Sequence, residues 1–347
     1  MKVILTLCLV LATFCATGQA RWSAEKAKAW YQKQPWLVGC NFIPSTAINQ
    51  LEMWQADTFD PATIDRELAL AQGIGFNVVR VYLHSLAWQA DKKGFKQRMK
   101  TFLRLADRRQ IKTLFVLFDD CWNDDPKLGK QPAPKPGVHN SGWVQCPAYA
   151  NVIDSTTWAK LELEAFTKDV LRSFAKDKRI LLWDLYNEPG NSGLNQKSLP
   201  LLKKVFAWAK AANPQQPISV GLWFDNAVLN EFQRQNSDVI TFHNYSNAAS
   251  MEQQILDLQQ LGRPLICTEY MARTNDSQFA THLPILKKYQ VGAINWGLVS
   301  GKSNTIFPWG SKAGSPEPAI WFHDIFRANG TAFAPQEVET IRSITKK

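Results

Sequence analysis

Short apolar runs recur along this chain at intervals that fit a strand followed by a helix. Eight read as strands: 36–41, 76–82, 112–118, 180–186, 217–222, 239–243, 264–269 and 291–296. Runs this short, ended by Pro, Gly or polar residues, belong to strands buried on both faces, as in a parallel sheet. Between them apolar residues return at helical spacing. Leu163, Phe166, Val170 and Phe174 share one face, as do Leu202, Val205, Phe206 and Ala209. Asp60 is placed to cap a helix with Pro61 in its first turn and Gly73 as its stop. Segments 97–108, 251–261, 278–289 and 321–328 complete the alternation. With no internal repeat and no composition break, this order predicts an α/β protein: a single-domain (β/α)8 TIM barrel over residues 21–347.

Two of the runs end on a carboxylate. The fourth closes on Asn187-Glu188-Pro189-Gly190 and the seventh on Glu269-Tyr270. Polar groups at the end of a buried strand are costly unless they act, and in such a barrel the strand ends build the active site. A pair of carboxylates there is what glycosidic-bond cleavage needs, one protonating the leaving oxygen and one attacking the sugar. The acid is expected to stay protonated near neutral pH through burial or a second carboxylate nearby. Arg80 and Tyr245 are the donors available to hold Glu269 ionised, and Asn187 is placed for a sugar 2-hydroxyl. His243 is a candidate to orient Glu188 or the substrate, and Asp119 and Asp120 to bind sugar hydroxyls. A solvated turn is the plainer reading of that Asp pair.

Two connections exceed ordinary loop lengths, 119–154 and 296–317. The first carries Trp122, His139, Asn140 and Trp143, the second Lys302, Asn304 and Trp309. Such groups suit the walls of a sugar site, and the two loops are expected to meet over one mouth and make a pocket. Of the fourteen tryptophans, Trp122, Trp143, Trp223, Trp296 and Trp309 fall at or after strand ends, where a ring stacks on a sugar or closes the barrel by packing.

Composition narrows the class. The 45% hydrophobic content supplies a core, and the net charge of +10 comes from Lys and Arg scattered over helical segments. That describes a solvated surface, with weak attraction for acidic polymers as the second reading, and no nucleic-acid partner is expected. Lys2, the apolar stretch 3–15 and Gly18-Gln19-Ala20 form an export signal, residues 1–20, which predicts a periplasmic or secreted protein. No later run approaches the roughly twenty apolar residues of a membrane span, so no membrane insertion is expected. Cys121 and Cys146 flank the first long loop and are candidates for a disulfide. Cysteine and His spacing offers no zinc site, and no regular Asp/Asn series offers calcium, so neither metal nor cofactor is expected. Ser or Cys nucleophile chemistry lacks its motif. A non-catalytic glycan-binding barrel would lack one of the two carboxylates.

These residues resemble glycoside hydrolase clan A, and family 5 in particular, the retaining cellulase and mannanase barrels. The resemblance rests on Arg80 in strand two, Asn187-Glu188 in strand four, His243-Asn244-Tyr245 in strand six, Glu269 in strand seven and Trp296 in strand eight. It implies Glu188 as acid/base and Glu269 as nucleophile, acting on β-linked oligo- or polysaccharides. The family's His at the end of strand three is replaced by Asp119-Asp120.

Overall fold

The computed structural model describes residues 20–345, so the expected export signal lies outside the described residues but for Ala20. All eight strands form where the apolar runs lie: β1 (Val38–Asn41), β2 (Val78–Tyr82), β3 (Lys112–Asp119), β4 (Ile180–Asn187), β5 (Ile218–Ser219), β6 (Ile240–His243), β7 (Leu265–Glu269) and β8 (Gly292–Asn295). Each pairs in parallel with its neighbour, β1 joining β8 through Val38 and Ala293. The seam between β5 and β6 closes through one parallel bridge, Leu222 to Phe242. β5 is shorter than 217–222 because Val220 N–H leaves the ladder for the Ser237 hydroxyl.

The helices wrapping the barrel are α1 (Pro61–Gly73), α2 (Lys92–Arg108), α3 (Leu163–Ser173), α4 (Leu199–Ala212), α5 (Ala227–Asn236), α6 (Ala248–Gln259), α7 (Phe279–Lys288) and α8 (Pro335–Thr345). The Asp60 carboxylate accepts from Thr63 N–H and starts α1, as the Asp-Pro pair predicts. The helix expected at 321–328 is absent. That segment runs irregularly, with Ile325 and Phe326 N–H both bonded to Leu298 O after β8, and the eighth helix forms farther on. Apolar spacing alone did not separate a helical face from a strap packed along the barrel rim.

Strand alternation sorts the core into two layers. Val79, Val81, Phe115, Leu117, Trp183 and Leu185 face the helices, while Val78, Tyr82, Leu114, Val116, Leu182, Ile266 and Ile294 fill the barrel interior. β1 and β2 approach so closely that a Cβ on Gly39 would lie 1.7 Å from Val78 O. The same alternation puts Arg80 and Asp184 inside the barrel with no exposed side-chain surface. There the usual filling of branched apolar residues gives way to a charged layer directly beneath the mouth.

Candidate active site

Arg80 is the hub of that layer. Its guanidinium donates to Asp184 Oδ2 (2.7 and 3.0 Å), Glu269 Oε1 (2.7 Å), Asn187 Oδ1 (2.7 Å), Asn41 Oδ1 (2.9 Å) and the Tyr82 hydroxyl. A planar fork with five donors can bridge β1, β4 and β7 at once, and a Lys cannot. Burial weakens the Arg80 charge, but Tyr82, Asp184 and Glu269 outweigh it and hold its pKa above the ordinary value. Asp184 is pushed up by burial, which Arg80 only partly offsets.

Glu269 sits above the hub at the end of β7. Its Oε1 accepts from Arg80 and from Tyr82 Oη (2.9 Å), and its Oε2 from Tyr245 Oη (2.8 Å). Glu188 follows β4 with a positive φ of 44°, a left-handed conformation that costs a non-glycine residue about 1–3 kcal/mol and is typical of functional positions. His243 Nδ1 lies 2.8 Å from Glu188 Oε1 and 3.4 Å from Glu269 Oε2, so one imidazole edge faces both carboxylates. Oxygens of Glu188 and Glu269 and this nitrogen all fall within 4.8 Å of one another. The opposite ring edge, Nε2, is buried without a partner against Gly221.

Glu188 departs from the expectation of a protonated acid. Burial raises its pKa, but hydrogen bonds from His243, the Cys121 thiol (3.2 Å) and Asn191 Nδ2 (2.5 Å) prevail and hold it below the ordinary carboxylate value. Burial and the nearby Asp119, Glu188 and Glu269 charges keep Cys121 itself a protonated donor. The sequence reading names neither Asn191 nor Tyr82, and Cys121 only as a disulfide candidate. Tyr82 was within reach, since it lies two residues beyond Arg80 and must share its face.

The cluster does not suit a metal ion. Glu188, His243 and Glu269 have ligand spacing, but their oxygens already accept from Arg80, two tyrosines, Asn191 and Cys121. The Arg80 cation 2.7 Å from Glu269 opposes a second one.

A cavity of about 1230 Å³ opens over the two carboxylates. The five tryptophans singled out above all line it: Trp122 and Trp309 are 40% and 43% exposed, while Trp143 is buried edge-on against Tyr82 and Trp296. Asn187, His243 and Tyr245 also belong to the wall. The amide of Asn187 is committed below the surface, its Oδ1 to Arg80 and its Nδ2 to Asp119 and Cys121.

Several expected contacts lie elsewhere. Arg80 is sealed beneath Glu269 and acts on the carboxylates rather than on a sugar. Asp119 and Asp120 are neither sugar ligands nor a solvated turn. β3 continues through Asp119, whose carboxylate accepts from Trp143, Asn187 and Cys121 N–H, and Asp120 accepts from Tyr186, Ser198 and Gly190 N–H. Burial pushes both up to about 7, against those donors. Lys302 is paired with Glu52 and Asn304 donates to Lys135 O and Val138 O, so both tie loops together outside the cavity wall. No disulfide joins Cys121 and Cys146. The first lies against Glu188 and the second against Ser85, and both are free thiols.

The two long loops do meet. Asn140 N–H donates to Ser303 O, Gly314 N–H to Pro136 O and His139 N–H to the Ser311 hydroxyl. They close the mouth on the side of β3 and β8. The cavity continues past Trp223 and Phe224 toward Gln254 and Asp257, on the side of β5 and β6.

No curated protein sequence matches the chain. Among solved structures, the endo-β-1,4-mannanase of Thermotoga petrophila superposes with a TM-score of 0.57 at 15% identity, over 89% of this chain and 76% of that one. GH5_18 of Streptomyces cattleya in complex with GlcNAc gives 0.59 at 10% identity, over 95% and 82%. The family 5 mannosidase of Rhizomucor miehei gives 0.56 at 16%, over 90% and 93%. At such identities these likenesses establish the barrel fold. The family model described as Cellulase (glycosyl hydrolase family 5) matches residues 39–302, most of the chain and seven of the eight strands in full. This chain therefore belongs to glycosyl hydrolase family 5 and is a glycosidase.

Proposed function

We propose that this glycosidase cleaves β-linked oligo- or polysaccharides with retention of configuration, Glu269 attacking the anomeric carbon and Glu188 serving as acid and then base. The observation that carries this reading is the approach of the two carboxylates, with oxygens within 4.8 Å. Retaining enzymes hold the pair about 5–5.5 Å apart, while an inverting water needs about 6.5–9.5 Å. Arg80, Tyr82 and Tyr245 together satisfy the charged form of Glu269, which suits a nucleophile.

Glu188 must hold a proton when the leaving oxygen departs. A sugar seated over it removes the remaining solvent, and the Glu269 charge nearby disfavours a second one, so substrate binding drives proton uptake. Once Glu269 is esterified that charge is gone. The hydrogen bonds from His243, Asn191 and Cys121 then favour the carboxylate, and Glu188 is poised to take the proton of the attacking water. The expected export signal makes the enzyme periplasmic or secreted in this proposal.

Proton NMR of the first product from a panel of β-linked oligosaccharides, mannosides included, tests the stereochemistry. The β-anomer is expected, and an initial α-product refutes the assignment. Glu269→Gln should lower turnover by several orders of magnitude with the fold intact. Near-normal turnover in that variant removes Glu269 from the mechanism.

A further inference from the structure

The loop wall carries two histidines that the reaction above does not use. His139 comes from the connection after β3 and His323 from the irregular strap after β8, and their rings stand edge to face with centroids 5.4 Å apart. Each Nδ1 lies 2.6 Å from a main-chain carbonyl, Phe307 O for His139 and Met271 O for His323. A carbonyl only accepts, so each Nδ1 carries the hydrogen and each Nε2 is left as an acceptor. Burial holds both rings neutral, pushing His139 down to about 4 and His323 well below the ordinary value. Neither Nε2 has a partner among the described residues, and neither is sealed off as the Nε2 of His243 is. Both residues line the catalytic cavity.

Their surroundings suit a sugar. The half-exposed Trp122 ring lies 5.3 Å from His139, and Trp309 lies 5.9 Å from His323 and 4.9 Å from Tyr245. Tyr245 in turn donates to Glu269, so this corner adjoins the proposed nucleophile. Next to His139 in the chain, Asn140 also lines the cavity, is 2% exposed with its Oδ1 unpaired, and has a φ of 46° that Asn tolerates. Behind these groups the wall is shut by the bonds from Asn140 to Ser303 and from His139 to Phe307.

We propose that His139 and His323 form a terminal-sugar subsite, in which their Nε2 atoms accept hydrogen bonds from two hydroxyls of the one sugar residue held between Glu269 and the loop wall. The enzyme then removes single residues from non-reducing chain ends, with the rest of the substrate leaving along Trp223. This deepens the retaining-glycosidase reading and rests on it.

The test uses 4-nitrophenyl β-glycosides of glucose, mannose, galactose and xylose, and the monodeoxy series of whichever is turned over. Wild type should lose about 5- to 100-fold in kcat/KM at two ring positions, the effect of leaving a buried acceptor unpaired. His139→Asn and His323→Asn keep a nitrogen at the δ position for the carbonyl and delete Nε2. Each should abolish discrimination at one of those positions and leave the other. Uniform losses across the series, or a wild type indifferent to every deoxygenation, overturn the subsite whether or not the variants fold. A rapid viscosity drop in a soluble β-glycan with few new reducing ends overturns the chain-end action. If no glycoside is turned over, removal of single terminal residues is refuted, and the product stereochemistry from β-linked oligosaccharides judges the retaining reading separately. Tryptophan-fluorescence titration with the free monosaccharides then judges the subsite alone, binding that weakens in both variants supporting it and its absence refuting it.

Discussion

Arg80→Met tests whether one guanidinium holds both the barrel interior and Glu269, the proposed nucleophile. The substitution keeps an unbranched side chain and removes the only Arg or Lys paired with Asp184 and Glu269 among the described residues. Asp184 is fully buried, and its Oδ1 already lacks a partner, so no neighbour can replace the lost contact. Breaking a buried pair and stranding the carboxylate costs about 3–5 kcal/mol. Unfolding entropy of about 2.1 cal/mol/K per residue over some 326 described residues makes 1 kcal/mol about 1.5 °C, so Tm should fall by about 4–7 °C. Glu269 loses its 2.7 Å contact at the same time, and a displacement on the order of 1 Å lowers kcat/KM about 100-fold.

The two effects separate in Arg80→Met/Asp184→Leu. Removing the stranded charge should restore at least half of the lost Tm, because an apolar replacement of a buried pair is often neutral or better. Activity should stay low, since nothing returns to Glu269. Calorimetry and initial rates on the same preparations decide it. Strictly additive Tm losses would show that the pair is not coupled, and recovered activity in the double variant would show that Arg80 does not position Glu269.

Two smaller perturbations read the titrating groups. Asn191→Ala removes a donor that holds Glu188 low, so the basic limb of the kcat/KM pH profile should move to higher pH, and a fixed or lowered limb contradicts that role. Glu67 is fully buried, and burial pushes it up to about 7 against its bonds from Ser45. A carboxyl raised in the folded state contributes stability that is complete below its ordinary value and lost as pH rises through about 7, so Glu67→Gln should narrow the Tm difference between about pH 5 and about pH 8. An unchanged difference assigns the pH dependence to other groups.

How much of this was legible in the sequence follows from what fixes each side chain. Glu188, Glu269, Arg80, Asn187 and His243 stand on or directly after strands, and a strand's position and period follow from local apolar pattern. Asp119 and Asp120 were misread because the apolar run stops one residue before β3 does. The pair turns inward to meet Trp143, Asn187, Tyr186 and Ser198, and only the folded chain brings those partners near. The strap at 321–328 failed for a similar reason: Trp321, Phe322, Ile325 and Phe326 are spaced as a helical stripe, but their burial comes from lying along the rim after β8.

The terminal-sugar subsite belongs to a third case, in which residue type is visible but chemical state is not. His139 and Trp122 stood out in the sequence as polar and aromatic members of a long loop. Nothing local says that His139 Nδ1 will be taken by Phe307 O, 168 residues away, and that its Nε2 will therefore accept. His323 drew no notice because it lay inside an expected helix, where it would have faced solvent or the α-helical layer. Placed instead on the rim strap, it gives its Nδ1 hydrogen to Met271 O just beyond β7. The tautomer of each ring is thus set by a main-chain carbonyl distant in sequence, and the acceptor pair exists only after the barrel and both loops have closed. In this proposal specificity is built on contacts between loops and the chemistry on strand ends, so substrate choice can change without disturbing the Arg80 layer beneath it.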